Sequence, residues 1–277
     1  MKEYSRTLVL GATGKTGSRI TSRLRQMGQT VRIGSRSAVI PFDWDDPGTW
    51  EPVLKDMDVV YISFQPDLAV PGAVQAIRAF AAKAVESGVQ KLVLLSGRGE
   101  PEAQECEKVI MDGGVSWTIV RASWFCQNFS ESFMLEPILA GYVALPAGDI
   151  REPFVDADDI ADVAVAAITE EGHDGKVYEI TGPRLLTFKE AIDSIAAAMG
   201  KSIHYQEVIM KEYAAMLAKH GVPDVLVSLV SYLFSEVLDG RNAYVTDGVE
   251  QALGRKATDF SEYVGKTVAM GIWGQKS

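Results

Sequence analysis

Cysteine and histidine are scarce in this chain of 277 residues. There are two cysteines, Cys106 and Cys126, and three histidines, His173, His204 and His220. None sits at the short spacing from another that a zinc or redox-metal site needs, so no metal ligand set is expected, and the cysteines read as two unpaired thiols. Long apolar runs are also missing. No stretch approaches the ~20 residues of a membrane-spanning helix, and the apolar residues 7–10 near the N-terminus are too few for a signal-peptide core. No membrane partner is expected, and a cytoplasmic location is. Positive charge is in deficit, with a net charge of −10. That balance excludes nucleic acid as the natural ligand, because phosphate-backbone binding needs a basic surface.

The deficit is uneven. Residues 1–36 carry eight basic side chains (Lys2, Arg6, Lys15, Arg19, Arg23, Arg25, Arg32 and Arg36) against one acid, Glu3. This segment is therefore at +7 and the remainder at −17. A local positive field over a polyphosphate is one reading, and a solvated basic helix face is the other.

Strand-like and helix-like segments alternate through the first half. Apolar runs at 7–10, 30–33, 39–42, 59–63, 91–95 and 116–120 predict strands. The stretches 16–27, 47–55, 71–87 and 101–112 predict helices, several closed by glycine. This rhythm predicts an α/β fold with a doubly wound parallel sheet, and near-continuous apolar runs such as 92–95 fit strands covered on both faces. The second half is less regular. Helices are expected over 126–139, 159–169 and much of 211–240, and strands at 176–180 and 203–208. Thr187-Phe188-Lys189-Glu190 predicts a capping box opening a helix to Met199. Residues 1–150, with returning segments from 151–182, are expected to form the core that carries the parallel sheet. Residues 183–277 are expected to form a mainly helical lobe that closes over the carboxyl edge of the sheet.

The chemistry is carried by Leu8-Val9-Leu10-Gly11-Ala12-Thr13-Gly14-Lys15-Thr16-Gly17, a strand leading through a glycine turn into a helix. Gly11 permits the turn, Gly14 lets the backbone approach a pyrophosphate, and Gly17 lets helix and strand pack closely. The helix N-terminus then offers free N–H groups and a positive dipole end to the phosphates. Gly14-Lys15-Thr16 imitates the end of a nucleotide-triphosphate loop, but that loop needs glycine where Val9 stands, so the triphosphate reading fails. The second strand ends Ile33-Gly34-Ser35-Arg36-Ser37. It has no acid for the ribose hydroxyl of NAD, and it has an arginine suited to the 2′-phosphate of NADP. NADP(H) is therefore the expected cofactor.

The Gly-x-x-Gly-x-x-Gly spacing resembles the NmrA-like atypical short-chain dehydrogenases. So do Phe42-Asp43-Trp44-Asp45-Asp46-Pro47, the stretch from Val115 to Arg121 followed by Trp124-Phe125-Cys126-Gln127-Asn128-Phe129, and Pro153-Phe154-Val155-Asp156-Ala157-Asp158-Asp159. The likeness is greatest to the ergot-alkaloid iminium reductases. It implies a Rossmann-type core with a small α/β C-terminal substrate lobe. Gly11, Thr13, Gly14, Lys15, Thr16 and Gly17 would then hold the pyrophosphate, Ser35 and Arg36 the 2′-phosphate, and Asp43 and Trp44 the adenine edge. Phe64, Gln65 and Pro66 are expected beside the nicotinamide ribose. Ser96 matches the family's serine at a strand end and is the candidate catalytic and cofactor-binding hydroxyl; a turn serine is the plainer alternative. Trp124, Asn128, Phe129 and Phe154 are expected to face the substrate. Asp156, Asp158 and Asp159 read as acids at a helix start rather than as a ligand cluster.

The sequence departs from the wider short-chain class where a Tyr-x-x-x-Lys pair normally follows the fifth strand. Residues 96–108 contain no tyrosine, and Gln104 stands four residues before Lys108. A ketone that accepts hydride becomes an alkoxide and needs a proton donor, whereas an iminium ion becomes a neutral amine and needs none. The expected function is an NADPH-dependent reductase of a small imine or iminium, with carbonyls and quinones as alternatives, in a monomer or homodimer. A dinucleotide-binding redox sensor without turnover is the rival reading.

Overall fold

The computed structural model describes residues 6–274. Lys2 and Glu3 of the basic segment lie outside them. The described chain divides into two compact units. The first comprises the described residues through Ala122 together with Ala157–Ile180 and Asp247–Arg255. Its strands are β1 (Arg6–Leu10), β2 (Thr30–Gly34), β3 (Val59–Ile62), β4 (Lys91–Gly97) and β5 (Ser116–Ala122), joined at one edge by Lys176–Ile180. All pair in parallel, in the order β2-β1-β3-β4-β5-(Lys176–Ile180). This is the doubly wound arrangement expected for a Rossmann-type fold. The chain reverses direction across the sheet between β1 and β3, and open α/β sheets bind ligands at the carboxyl end of that switch point.

Helices α1 (Lys15–Gln26), α2 (Trp50–Leu54), α3 (Ala73–Glu86) and α4 (Pro101–Met111) connect these strands. β1 and β3 are buried almost throughout, as both-faced coverage demands. One face packs Leu8, Leu10, Val60, Ile62, Leu92 and Leu94 against Ile77, Phe80 and Ile110 of α3 and α4. Along its own flank α1 packs on the helix Ala157–Thr169. Arg23 bonds both Asp158 (2.7 Å) and Asp162 (2.6 Å) there.

The strand expected at 39–42 does not form. Pro41 interrupts the run, and Val39 stands fully exposed at the tip of a loop. The Phe42 N–H closes that loop on the Ser35 carbonyl at 3.0 Å. Phe42 itself is buried in the core. β2 is therefore the sheet's edge strand.

The second unit comprises Ser123–Asp156, Thr181–Thr246 and the described residues from Lys256 onward. The domain boundary thus differs from the sequence expectation, because residues 123–150 belong here and not with the dinucleotide core. Two short pairings, His204–Glu207 with Tyr142–Leu145 and Arg151–Glu152 with Leu186–Thr187, accompany several helices. The capping box on Phe188–Met199 is present: Thr187 Oγ1 accepts from Glu190 N (3.0 Å), and Thr187 N donates to Glu190 (2.8 Å). The continuous helix expected over 126–139 is broken into a 3₁₀ turn, Cys126–Phe129, and a helix, Leu135–Ala140. At the break the Phe129 carbonyl accepts from Trp273 Nε1 at 2.9 Å. No described helix is long and apolar enough to cross a membrane.

Candidate functional site

The glycine turn is built as its sequence requires. Gly11 has φ +64°, the left-handed region that glycine occupies without penalty. Its N–H reaches the Gly34 carbonyl of β2 (3.1 Å), and its own carbonyl accepts from Gly14 N (2.9 Å). At Gly17 a Cβ would stand 2.2 Å from the Gly11 carbonyl oxygen, so the helix lies against the turn as closely as backbone allows. At Gly14 a Cβ would come 3.3 Å from the same oxygen. α1 begins there with no side-chain cap and no acid in its first turn. An uncapped helix start of this kind fits a polyphosphate, because its N–H groups and dipole are unopposed.

The end of β2 and the loop after β3 meet at this turn. The hypothetical Cβ of Gly11 would touch Ser63 at 3.2 Å, and that of Gly14 would lie 3.9 Å from Gln65 Nε2. Thr13 is exposed at the turn, whereas Thr16 is buried and its hydroxyl accepts from Tyr61 at 2.9 Å. Phe64 packs on Trp44 with ring centroids 4.7 Å apart, and Trp44 also packs on Phe42, Trp50 and Phe80. The 43–44 and 64–66 segments are thereby tied together, with Trp44 half-buried. Asp43 organises its own turn: its carboxylate accepts from Asp45 N (3.1 Å) and its carbonyl from Trp50 Nε1 (2.8 Å). Arg36 is exposed beside Ser35 with no side-chain partner among the described residues. The basic segment is otherwise largely committed to structure. Arg6 forks onto Asp58, Arg19 and Arg23 reach Asp158, and Arg32 bonds the carbonyls of Val53 and Lys55. Most of these arginines are thus held by carboxylates or carbonyls of the fold, neither simply solvated nor directed at a ligand, and Arg36 is an exception.

Ser96, at the end of β4, is buried and donates to Glu107 at 2.6 Å. Glu107 also accepts from Arg121 Nε (2.9 Å) and Nη2 (2.5 Å), and Arg121 and Arg98 both reach Glu179. The hydrogen bond from Arg121 to Glu107 raises the guanidinium pKa. Lys108 is exposed on α4 and pairs with Glu105. Burial, aided by Glu107, pushes the Cys106 thiol up to about 12, so it is an inert core group.

Sequence reasoning missed a carboxyl pair at this edge. Asp67, just past Pro66, is hydrogen-bonded to Glu100, which follows β4 and folds over Gly97. Two carboxyl groups bond in this way by sharing a proton. Burial first, then the Asp67 charge, raises the Glu100 pKa well above its ordinary value. A carboxyl whose folded pKa is raised contributes stability below its unfolded pKa and loses it as pH rises through the folded one. Glu100→Gln keeps a hydrogen-bond donor and cannot ionise. Its unfolding midpoint is expected to match the wild type at pH 5 and exceed it at pH 8. Equal midpoints at both pH values would remove the shared proton from the account.

In the second unit, Trp124 is half-buried and meets Phe188 and Phe234 edge-on or tilted, and Asn128 is half-buried. Phe129 and Phe154, expected at the substrate, are instead core residues packed on one another at 5.2 Å and on Phe188 and Phe260. Of the three acids at 156–159, Asp156 accepts from Gln127 (2.7 Å), while Asp158 and Asp159 lie in the first turn of their helix. Asp159 pairs with Arg255 at 2.7 Å.

Residues 11–171 match the family model described as NAD(P)H-binding. The chain belongs to that family. Relatives include the agroclavine dehydrogenase of Claviceps fusiformis, 31% identical over 93% of this chain and 95% of that one. The NAD(P)H azoreductase of Xenophilus azovorans is 26% identical over 92% and 96%. Among solved structures, the NADPH-dependent quinone oxidoreductase of Escherichia coli complexed with NADPH superposes with a TM-score of 0.79 at 22% identity, covering 94% of this chain and 99% of that one. The resemblance to NmrA-like atypical short-chain enzymes is thus borne out, and the chain is an NAD(P)H-dependent oxidoreductase.

Proposed function

We propose that this family member is an NADPH-dependent reductase of flat, conjugated acceptors, with cyclic imines or iminium ions first and quinones or azo compounds behind them. One observation carries the reading. At the end of β4, where the wider class presents a proton donor, the Ser96 hydroxyl is given to Glu107, and residues 96–108 hold no tyrosine. An iminium ion, including a protonated imine, becomes neutral on taking hydride and suits such an edge; a quinone leaves only a weakly basic anion, and an azo compound must take its proton from solvent. The names of the relatives, which cite an ergot alkaloid and azo and quinone reduction, support the same class.

When bound, the dinucleotide supplies hydride from its nicotinamide. Gly11, Thr13, Gly14, Lys15, Thr16 and Gly17 hold its pyrophosphate, Gly14 and Gly17 by presenting backbone where a side chain would intrude. Ser35 and the unpaired Arg36 receive the 2′-phosphate, Asp43 and Trp44 border the adenine, and Phe64, Gln65 and Pro66 lie at the nicotinamide ribose with Ser96. Trp124 and Asn128 face the substrate, and Phe129 and Phe154 support them from the core.

Oxidation of NADPH, followed by absorbance with a cyclic iminium salt, a quinone, an azo dye and a simple ketone, tests this reading. Turnover of the conjugated acceptors without turnover of the ketone is expected, and preference for the ketone would overturn it. Arg36→Ala is expected to weaken NADPH about tenfold or more, the worth of a charge-assisted contact, while leaving NADH unchanged. Equal effects on both cofactors would remove Arg36 from the phosphate site.

A further inference from the structure

The loops that follow β3 and β4 leave neighbouring strands of the sheet. The first runs Ser63-Phe64-Gln65-Pro66-Asp67 and comes up to the glycine turn at Ser63 and Gln65. The second runs from Gly97 to Glu100 and opens α4. It is held to β5 by the Arg98 N–H, which donates to the Ala122 carbonyl at 3.1 Å.

Glu100 occupies the N-cap position of α4, where a carboxylate would accept from free N–H groups and gain from the helix dipole. Its side chain makes no such bond. It folds back over Gly97, where an added Cβ would stand 2.2 Å from Oε1 and 2.7 Å from Oε2, and it is 8% exposed. There it donates to Asp67, whose Oδ1 also accepts from Ala69 N at 2.8 Å. A carboxyl that leaves a helix N-terminus for another carboxyl carries a proton, because two anions in contact repel. The other charges that weigh most on Glu100, Glu102 and Glu107 of α4, are acidic too. Asp67 also faces Glu102, and the Cys106 thiol lies within its field. The cations of the adjoining strand ends, Arg98 and Arg121, pair with Glu179 and Glu107.

We infer that Asp67 and Glu100 are a positioning pair for the dinucleotide: one shared proton pins the loop after β3 to the start of α4, and the dinucleotide binds the pinned form. The inference rests on the reading that Phe64, Gln65 and Pro66 border the nicotinamide ribose. Loss of the proton places two carboxylates in contact, and they separate. The Asp67 end of the loop then moves and carries Gln65 away from Gly14. The added negative charge also opposes the pyrophosphate. Dinucleotide affinity therefore falls as pH rises through the folded pKa of the pair. By linkage, a dinucleotide that prefers the protonated pair takes up a proton when it binds above that pKa.

NADH is the probe, because it lacks the 2′-phosphate, a group that titrates at about pH 6 and would intrude. Its dissociation constant is measured by calorimetry on the full chain from pH 6.5 to pH 9, in two buffers of different ionisation enthalpy. Wild-type affinity is expected to fall about fivefold or more across that range, with proton uptake on binding at the upper end; one linked proton allows at most about tenfold per pH unit. Glu100→Gln keeps a donor to Asp67 and cannot ionise. Its affinity should match the wild type at pH 6.5, stay level to pH 9 and show no proton uptake. Gly97→Ala pushes the Glu100 carboxyl, the free end of a flexible side chain, off its seat. Its affinity should be low throughout and equally level. A wild type without pH dependence, or a Glu100→Gln variant that keeps it, overturns the inference. So does wild-type binding by Gly97→Ala. Gln65→Ala reads the loop assignment separately at one pH. Weaker NADH binding is expected, and unchanged binding overturns that assignment even where the pH profiles stand.

Discussion

Gly17→Ala is expected to abolish measurable NADPH binding and to lower the unfolding midpoint by several degrees. A single methyl group is enough because of what it meets. The new Cβ would stand 2.2 Å from the Gly11 carbonyl oxygen, 2.7 Å from its carbon and 2.8 Å from Ala12 Cα. All three are backbone atoms of the turn, so no side chain can rotate away to relieve the clash. Either α1 lifts off the turn or the turn opens, and both movements displace the N–H groups that cradle phosphate. Overpacking of this kind costs ~1–3 kcal/mol in an ordinary core, and the rigid turn places it at the upper end. Gly265→Ala is the matched control. Gly265 is helical with nothing near its hypothetical Cβ, so alanine there should stabilise by up to ~1 kcal/mol. Dinucleotide fluorescence titration and thermal melts of both variants check the pair, and wild-type NADPH affinity in Gly17→Ala would refute the close-approach account.

Glu107→Ala is expected to be the most destabilising change outside the turn. Glu107 is 2% exposed and collects three donors: the Ser96 hydroxyl and two nitrogens of Arg121. Removing it leaves Arg121 with a single 3.3 Å contact to Glu179 and leaves the Ser96 hydroxyl without its acceptor. Breaking one partner of a buried pair costs ~3–5 kcal/mol, because the remaining charge stays desolvated. Glu107→Gln keeps the shape and one acceptor and should lose about half as much. Urea unfolding distinguishes them, and a loss below ~1 kcal/mol for Glu107→Ala would show that the network is solvated. The same variant probes the role of Ser96. If the hydroxyl serves only to anchor Glu107, Ser96→Ala should lower stability with little change in turnover.

Most of the first unit was legible from local signals. Strands buried on both faces give continuous apolar runs, and a glycine triplet between a strand and a helix has few other uses. The errors arose where partners are distant in sequence. Val39 and Ile40 have the hydrophobicity of a strand, and only the loop closure from Phe42 to Ser35 shows that they are not one. Residues 126–139 have helical composition, but at the break the Phe129 carbonyl is anchored by Trp273, more than a hundred residues away. The eight basic residues near the N-terminus suggest a phosphate field, yet Arg23 finds its acids at 158 and 162. Asp67 and Glu100 lie in different loops, and nothing in either stretch announces that they touch. Phe129 and Phe154 follow strand-like segments as substrate residues would, but aromatic side chains serve a core equally well, and residue type alone does not separate the two uses.

The first unit is assembled from three separated stretches of chain, and the backbone passes between units five times. Its sheet lacks an edge strand until Ile180 has been made. Arg255, which clasps Asp159 and Asp162 of the helix beside α1, follows the second unit's Thr181–Thr246 stretch. A ribosome must therefore deliver the chain through Arg255 before the dinucleotide fold is whole. No single proteolytic cut can release that fold as a free fragment, and a premature stop anywhere before Arg255 leaves both units unfinished together.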